Sequence, residues 1–202
     1  MTRELSLFGS SDSGNCLKPK FVADYLAIPL KWIETSAFDG STRRPEFLKL
    51  NPAGQVPLAV LADGRTLAQS NAIMLYLAER SALVPEDPYA RAKMFEWLFW
   101  EQYNHEPTVA VRRAILKFRG GTEETVDPAL LAKGNACFAL MDAQLKQTLY
   151  LVGDALSLAD IALVAYTRVA HEGGYELAQF PSVQAWVARV DRDLGLQPAK
   201  AA

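Results

Sequence analysis

The sequence predicts an α/β domain followed by an all-helical domain, and three observations carry that prediction. Over the first 80 residues, apolar positions alternate between strand and helix periods. After residue 89 no convincing strand pattern occurs. Between the two regions, Pro85 and Pro88 flank the acidic pair Glu86-Asp87, a linker composition. The expected boundaries are residues 1–81, a linker at 82–88, and residues 89–202.

Within the first domain, "ELSLF" (4–8) and "PLKWIE" (29–34) read as strands. Residues 15–27 between them place Leu17, Phe21, Val22, Tyr25 and Leu26 at helical spacing, with Pro19 expected in the first turn. A strand, a helix of that length and a second strand imply a parallel crossover. Residues 44–50 form a short helix, and Asp63-Gly64 turns a hairpin between strands 57–61 and 65–68. Residues 70–81 close the unit as a helix with Ser70 as N-cap, completing the order βαβαββα.

The second domain reads as four helices. Residues 89–120 form a long one, bent at Pro107 and stopped by Gly120-Gly121. Residues 127–148 follow, with Asp127 at N-cap and Pro128 at N1. Residues 157–173 and 182–195 complete the set.

Bulk properties exclude several functions. A formal charge of −2 over 202 residues provides no field of the kind nucleic-acid binders use. No apolar run has the length of a membrane span, and no charged-then-apolar leader opens the chain. The two cysteines, Cys16 and Cys137, form neither a disulfide framework nor a zinc spacing, so no metal is expected and the cytoplasm is the expected compartment.

The stretch "NPAGQVPLAVLADG" (51–64) sets a puzzle. Asn51-Pro52 and Ala53-Gly54 already supply a turn, yet Pro57 removes a further N–H where a strand begins. On its own Pro57 reads equally as an ordinary strand-opening proline or as one that keeps neighbouring backbone groups available.

Four stretches together resolve the choice: "SDSGNCLKP" (11–19), "NPAGQVP" (51–57), "LAQSNAI" (67–73) and "SLAD" (157–160). In this order and at these separations the chain resembles a cytosolic glutathione transferase, of the bacterial, Ser-type kind, over nearly its whole length. The resemblance implies a thioredoxin-like fold for the first domain and a cis Val56-Pro57 bond. That bond exposes the N–H and C=O of Val56 to the cysteinyl backbone of glutathione, a one-residue strand addition. It implies a glutathione site formed by Arg43, Gln55, Val56, Pro57, Gln69 and Ser70. Ser70 and the helix N-terminus suit the γ-glutamyl carboxylate. Gln69, where some classes have Glu, offers the ligand's ammonium a neutral amide. Arg43 is the expected cation for the glycyl carboxylate, with Arg44 and Lys49 as alternatives.

The resemblance also implies that glutathione's thiol is ionised by a donor in the loop before the first helix. Ser10, Ser11, Ser13, Asn15 and Cys16 are the candidates. Ser13, five residues before Lys18, matches the catalytic serine of Ser-type relatives and comes first; Asn15 comes second. Phe8 stands where Tyr-type relatives carry a catalytic tyrosine and has no hydroxyl. Cys16, at the second position of a Ser-x-x-Cys pair, is expected buried and inert. Ser157 and Asp160 have the spacing of a capping box, a structural element.

For the second substrate, a small electrophile, the expected pocket residues are Tyr103, His105 and Arg112, with Arg113 beside them. The aromatic row Trp97, Trp100 and Tyr103 reads first as core or subunit-interface packing, and second as part of that pocket. The implied partners are glutathione, the electrophile and a second copy of the chain, with no nucleic acid and no membrane. Two rival functions remain: a glutathione-dependent disulfide or peroxide reductase or isomerase, and a non-catalytic binding module on the same fold.

Overall fold

The computed structural model describes residues 5–36 and 38–197. The chain divides into two compact units, Met1–Ser81 and Ala82–Ala202.

The first unit comprises β1 (Leu5–Gly9), α1 (Gly14–Tyr25), β2 (Leu30–Glu34), α2 (Pro45–Leu50), β3 (Leu58–Val60), β4 (Thr66–Ala68) and α3 (Ser70–Leu77). Glu4, expected to start the first strand, lies outside the described residues. The sheet order is β2-β1-β3-β4; β1 and β2 are parallel, and the other pairs antiparallel. The order βαβαββα expected from the periodicity is the one observed. Leu7, Ala59 and Ile73 form the buried core, flanked by Leu5, Leu30, Trp32, Leu67 and Leu77. Alternate residues of a strand face one side, so Leu5 and Leu7 reach this core while Phe8 points to the other face and meets the Phe47 ring edge-on at 6.0 Å.

Two helix starts differ from expectation. Helix α1 begins at Gly14 with Ser13 as its cap, which moves Pro19 past the first turn and removes the N–H that would bond the Asn15 carbonyl. At α3 the cap position belongs to Gln69, and Ser70 is the first helical residue. Gln69 has φ +70° and ψ 116°, a sparsely populated backbone region for a residue with a side chain.

The second unit contains α4 (Pro88–Trp100), a π-helical segment (Glu101–Ala110), α5 (Val111–Phe118), α6 (Pro128–Leu145), α7 (Leu158–Thr167) and α8 (Pro181–Asp193). Its described residues hold no strand, only an isolated bridge between Tyr150 and Gly153. Pro107 was expected to bend the long helix. Instead the helix widens to i→i+5 geometry around it, which gives the ring room against the preceding carbonyls. Gly120, at φ +71°, then ends α5. The helix expected over 157–173 stops at Thr167, and Ala170–Gly173 is a separate 3-10 turn. Leu83, within the expected linker, is buried and accepts a bond from the Leu158 N–H at 3.1 Å, so this stretch packs with the helical unit.

Helix α7 is buried along its whole length. Its start is organised by Asp160. One carboxylate oxygen accepts from Leu151 N and Trp186 Nε1, both at 2.9 Å; the other accepts from Ser157 N and Ser157 Oγ, both at 2.9 Å. Burial pushes the Asp160 carboxyl up, and the four donors oppose that. Among the described residues no helix is long and apolar enough to cross a membrane.

Candidate functional site

Sheet register brings the sequence motifs of the first unit to one end. Phe8 pairs with Leu58, and Leu58 with Ala68. The residues just after Phe8, just before Leu58 and just after Ala68 therefore leave the sheet side by side, at strand separations of about 5 Å. These are the loop to Ser13, the Val56-Pro57 pair, and Gln69-Ser70.

At the first position, Ser13 N–H donates to Ser10 O at 3.0 Å, and Ser13 Oγ accepts from the Cys16 N–H at a long 3.4 Å. Glu34, at the end of β2, fixes the loop by accepting from Ser11 N at 2.9 Å and from Trp32 Nε1 at 2.8 Å. The Trp32 bond, ahead of those from Ser11, holds the Glu34 carboxyl below the usual range. Cys16 is fully buried, and burial pushes its thiol up although Ser13 hydrogen-bonds to it. Cys16 is thus held protonated, unlike a redox or nucleophilic cysteine. Asn15, the second residue of α1, is half-exposed, and its Oδ1 accepts from Lys18 Nζ at 2.7 Å.

At the second position the Val56-Pro57 peptide is cis. Val56 is half-buried, and its backbone N–H and C=O pair with no described residue. Asn51 shapes the approach: its Nδ2 donates to Gln55 O at 2.7 Å and its Oδ1 accepts from Ala53 N at 3.2 Å. Gly54, at φ +62°, leaves the space that Arg43 occupies; a Cβ there would lie 2.5 Å from Arg43 Nη1. Arg43 reaches Ala53 O at 3.4 Å and remains exposed. Of the alternative cations, Arg44 borders a cavity of about 330 Å³ with Phe8, Thr35 and Phe47, and Lys49 is exposed on α2.

At the third position Ser70 is buried at the α3 N-terminus, where the first-turn N–H groups have no acceptor within the helix. Gln69 is exposed beside it.

In the helical unit, the three expected pocket residues separate. Tyr103 is 86% exposed and borders a cavity of about 500 Å³ with Trp100, Pro107, Lys133, Cys137 and Leu140. His105 and Arg112 do not join it. His105 is fully buried, with Nε2 at 3.0 Å from Thr167 Oγ1. The Thr167 hydroxyl spends its proton on Leu163 O at 2.8 Å, so it accepts from His105 and fixes the proton on Nε2. Arg112 is buried too, donating to Gly173 O at 2.7 Å and pairing with Glu123; Arg113 pairs with Glu172. These are helix-tethering contacts.

Among the described residues no cluster of His, Cys, Asp or Glu is arranged to hold a metal ion.

Residues 12–80 match the family profile described as "Glutathione S-transferase, N-terminal domain", and residues 94–192 match "Glutathione S-transferase, C-terminal domain". The glutathione S-transferase GstB of Escherichia coli (strain K12) is 30% identical over 193 residues, 90% of each chain. The chain belongs to the glutathione transferase family. Another E. coli relative, the disulfide-bond oxidoreductase YfcG, is 28% identical over 170 residues, 75% of this chain and 74% of its own. The crystal structure of a glutathione S-transferase from Pseudomonas fluorescens Pf-5 superposes with a TM-score of 0.90 at 40% identity, covering 98% of both chains.

For this glutathione transferase, the thioredoxin-like first unit supplies the end-of-sheet arrangement described above. The sequence motifs give Asn51, Glu34 and Lys18 no side-chain role at the site. Asn51 carried a usable signal, since an Asn before Pro-x-Gly tends to bond its own turn. Glu34 and Lys18 carried none, because the Ser11 contact of Glu34 follows from the β1–β2 register and the burial of Lys18 from tertiary packing.

Proposed function

We propose that this glutathione transferase binds glutathione across that end of its sheet and ionises the thiol, with Ser13 as principal donor and Asn15 as second. The observation that supports the reading is the convergence of three unlike contact groups through one register: a helix-capping hydroxyl, an unpaired backbone pair and a helix N-terminus. Val56 takes the cysteinyl backbone through its N–H and C=O, with Gln55 and Pro57 fixing that strand end. Ser70 and the α3 N-terminus take the γ-glutamyl carboxylate, Gln69 its amino group, and Arg43 the glycyl carboxylate.

A free thiol has a pKa near 8.5, and lowering it by two units requires about 2.7 kcal/mol of preference for the anion. A hydroxyl donating to that anion contributes about 1.5–3 kcal/mol. Ser13 has its proton to give. Its oxygen is the acceptor in the bond from the Cys16 N–H, so the hydroxyl hydrogen can be directed to the glutathione sulfur.

The thiolate then attacks a small electrophile. Tyr103, exposed on the π-helical segment, is the one expected acceptor residue retained in this reading, because His105 and Arg112 are buried. The exposed Phe99, Tyr103 and Leu140 support assembly as a homodimer, which sedimentation would test. A second chemistry has a specific support in the likeness to YfcG: the same thiolate can attack a disulfide sulfur and displace the other as thiolate. With Cys16 buried, that exchange would run through glutathione's own sulfur. A non-catalytic module has no need to retain the convergent donors, and their presence favours the enzyme reading over it.

The test is the ultraviolet absorbance of bound glutathione against pH in wild type, Ser13→Ala and Asn15→Ala. A thiolate band persisting well below pH 8 and lost in Ser13→Ala is expected. No saturable binding would leave only a module on this scaffold. An aryl halide assayed beside a glutathione mixed disulfide separates transferase from reductase.

A further inference from the structure

The first two turns of α1 contain a charged side chain that the reading above does not use. Lys18 is fully buried, and its ammonium donates to Asn15 Oδ1 at 2.7 Å. An i, i+3 spacing puts the two side chains on one face, so the helix itself builds the contact. An ammonium has donors and no acceptor, so the carboxamide atom facing it is the oxygen. The NH2 group of Asn15 is therefore turned away from Lys18. Asn15 is half-exposed and lies two residues beyond Ser13, whose hydroxyl caps the same helix. Lysine is among the residues least often buried, so a fully buried Lys18 held against Asn15 is an unusual use of that side chain.

We propose that Lys18 is a positioning residue: it clamps the Asn15 carboxamide by its oxygen and so holds the NH2 group as a donor to the glutathione sulfur beside the Ser13 hydroxyl. The inference rests on the thiolate reading above and deepens it. A carboxamide free to rotate presents its oxygen as readily as its nitrogen, and an oxygen facing a thiolate would repel it. The clamp removes that orientation. The cation also polarises the amide, which strengthens its N–H as a donor.

The experiment compares wild type with Lys18→Met, Lys18→Arg, Asn15→Ala, Asn15→Asp and the Lys18→Met/Asn15→Ala pair. It reads two quantities: glutathione affinity at a pH where the thiol is protonated, and the pH midpoint of the bound thiolate band. Lys18→Met and Asn15→Ala are each expected to raise the midpoint by about one pH unit. Affinity should stay within about threefold of wild type. The double variant should go no higher than either single one, and Lys18→Arg should restore most of the shift. Asn15→Asp keeps an acceptor for Lys18 but lacks an N–H, so it should fold and still show a raised midpoint, which covers the case where Lys18→Met does not fold. An unchanged midpoint in Lys18→Met or in Asn15→Asp overturns the proposal. So does an additive shift in the double variant, which would mean that Lys18 acts by its field alone. A wild type with no thiolate band fails the parent reading instead.

Discussion

Ser13 and Ser157 occupy the same structural position, the residue before the first turn of a helix, in opposite surroundings. Ser157 is buried, and both its N–H and its hydroxyl donate to Asp160 at 2.9 Å. Ser13 is half-exposed, and its cap bond to the Cys16 N–H is stretched to 3.4 Å. A helix N-terminus needs polar partners in either case. Where the protein supplies all of them, the serine is part of the scaffold. Where it leaves a hydroxyl half-committed and accessible, a ligand can complete the set. The comparison separates a structural cap from a site by how far its hydrogen bonding is already satisfied.

The largest effect should come from breaking the satisfied cap. Asp160→Ala leaves four buried donors without an acceptor, and we expect a loss of about 3 kcal/mol or more in urea unfolding. Asp160→Asn should be nearly as costly, because its NH2 would face two donors. A loss below about 1 kcal/mol would show that Asp160 does not organise the α7 start. Ser13→Ala should do the reverse: kcat/KM falls about 100-fold while stability changes by about 1 kcal/mol or less. Equal losses of both would collapse the distinction between the two serines.

Gly54→Ala sharpens the ligand side. A Cβ at φ +62° and 2.5 Å from Arg43 Nη1 should cost about 1–2 kcal/mol of stability and displace the guanidinium. Glutathione affinity should fall with it, and unchanged affinity would remove Arg43 from the glycyl contact. Ser157→Ala should cost about 1 kcal/mol and leave the bound thiolate midpoint where it is in wild type.

The smallest effect concerns Glu34. Its carboxyl is held low, first by the Trp32 bond, so its anchoring of the Ser11 loop is fully present above the ordinary glutamate range, about 4.3. That anchoring is lost as the pH falls through the lowered folded value. The Trp32 indole proton followed by NMR should shift with a midpoint below the ordinary range and lose that transition in Glu34→Gln. A midpoint at or above the ordinary value would count against the clamp.

The first unit was readable because strand and helix periods differ and its turns are marked by Asp63-Gly64 and Asn51-Pro52. Its candidate site was readable through motif order, since Ser13, Val56-Pro57 and Gln69-Ser70 lie next to strands whose register brings them together. The helical unit was harder. Apolar spacing around Pro107 reads as a bent α-helix, and the π geometry that accommodates it has no sequence period of its own. His105 and Arg112 looked available because polar residues near an aromatic row carry no mark of burial. Their partners, Thr167 and Gly173, lie about 60 positions away, brought close only by packing.

The π-helical segment also bears on how this chain tolerates insertion and deletion. Each residue of an α-helix turns the chain by about 100°. Deleting one residue within Glu101–Ala110 could restore α geometry locally, but it would re-index everything after it. The side chain now delivered to Gly173 O would be swung a quarter-turn away, and a neighbour of different length would arrive in its place. The segment therefore acts as a phase setting: its length, more than any one of its side chains, keeps Arg112 and Arg113 addressed to separate partners.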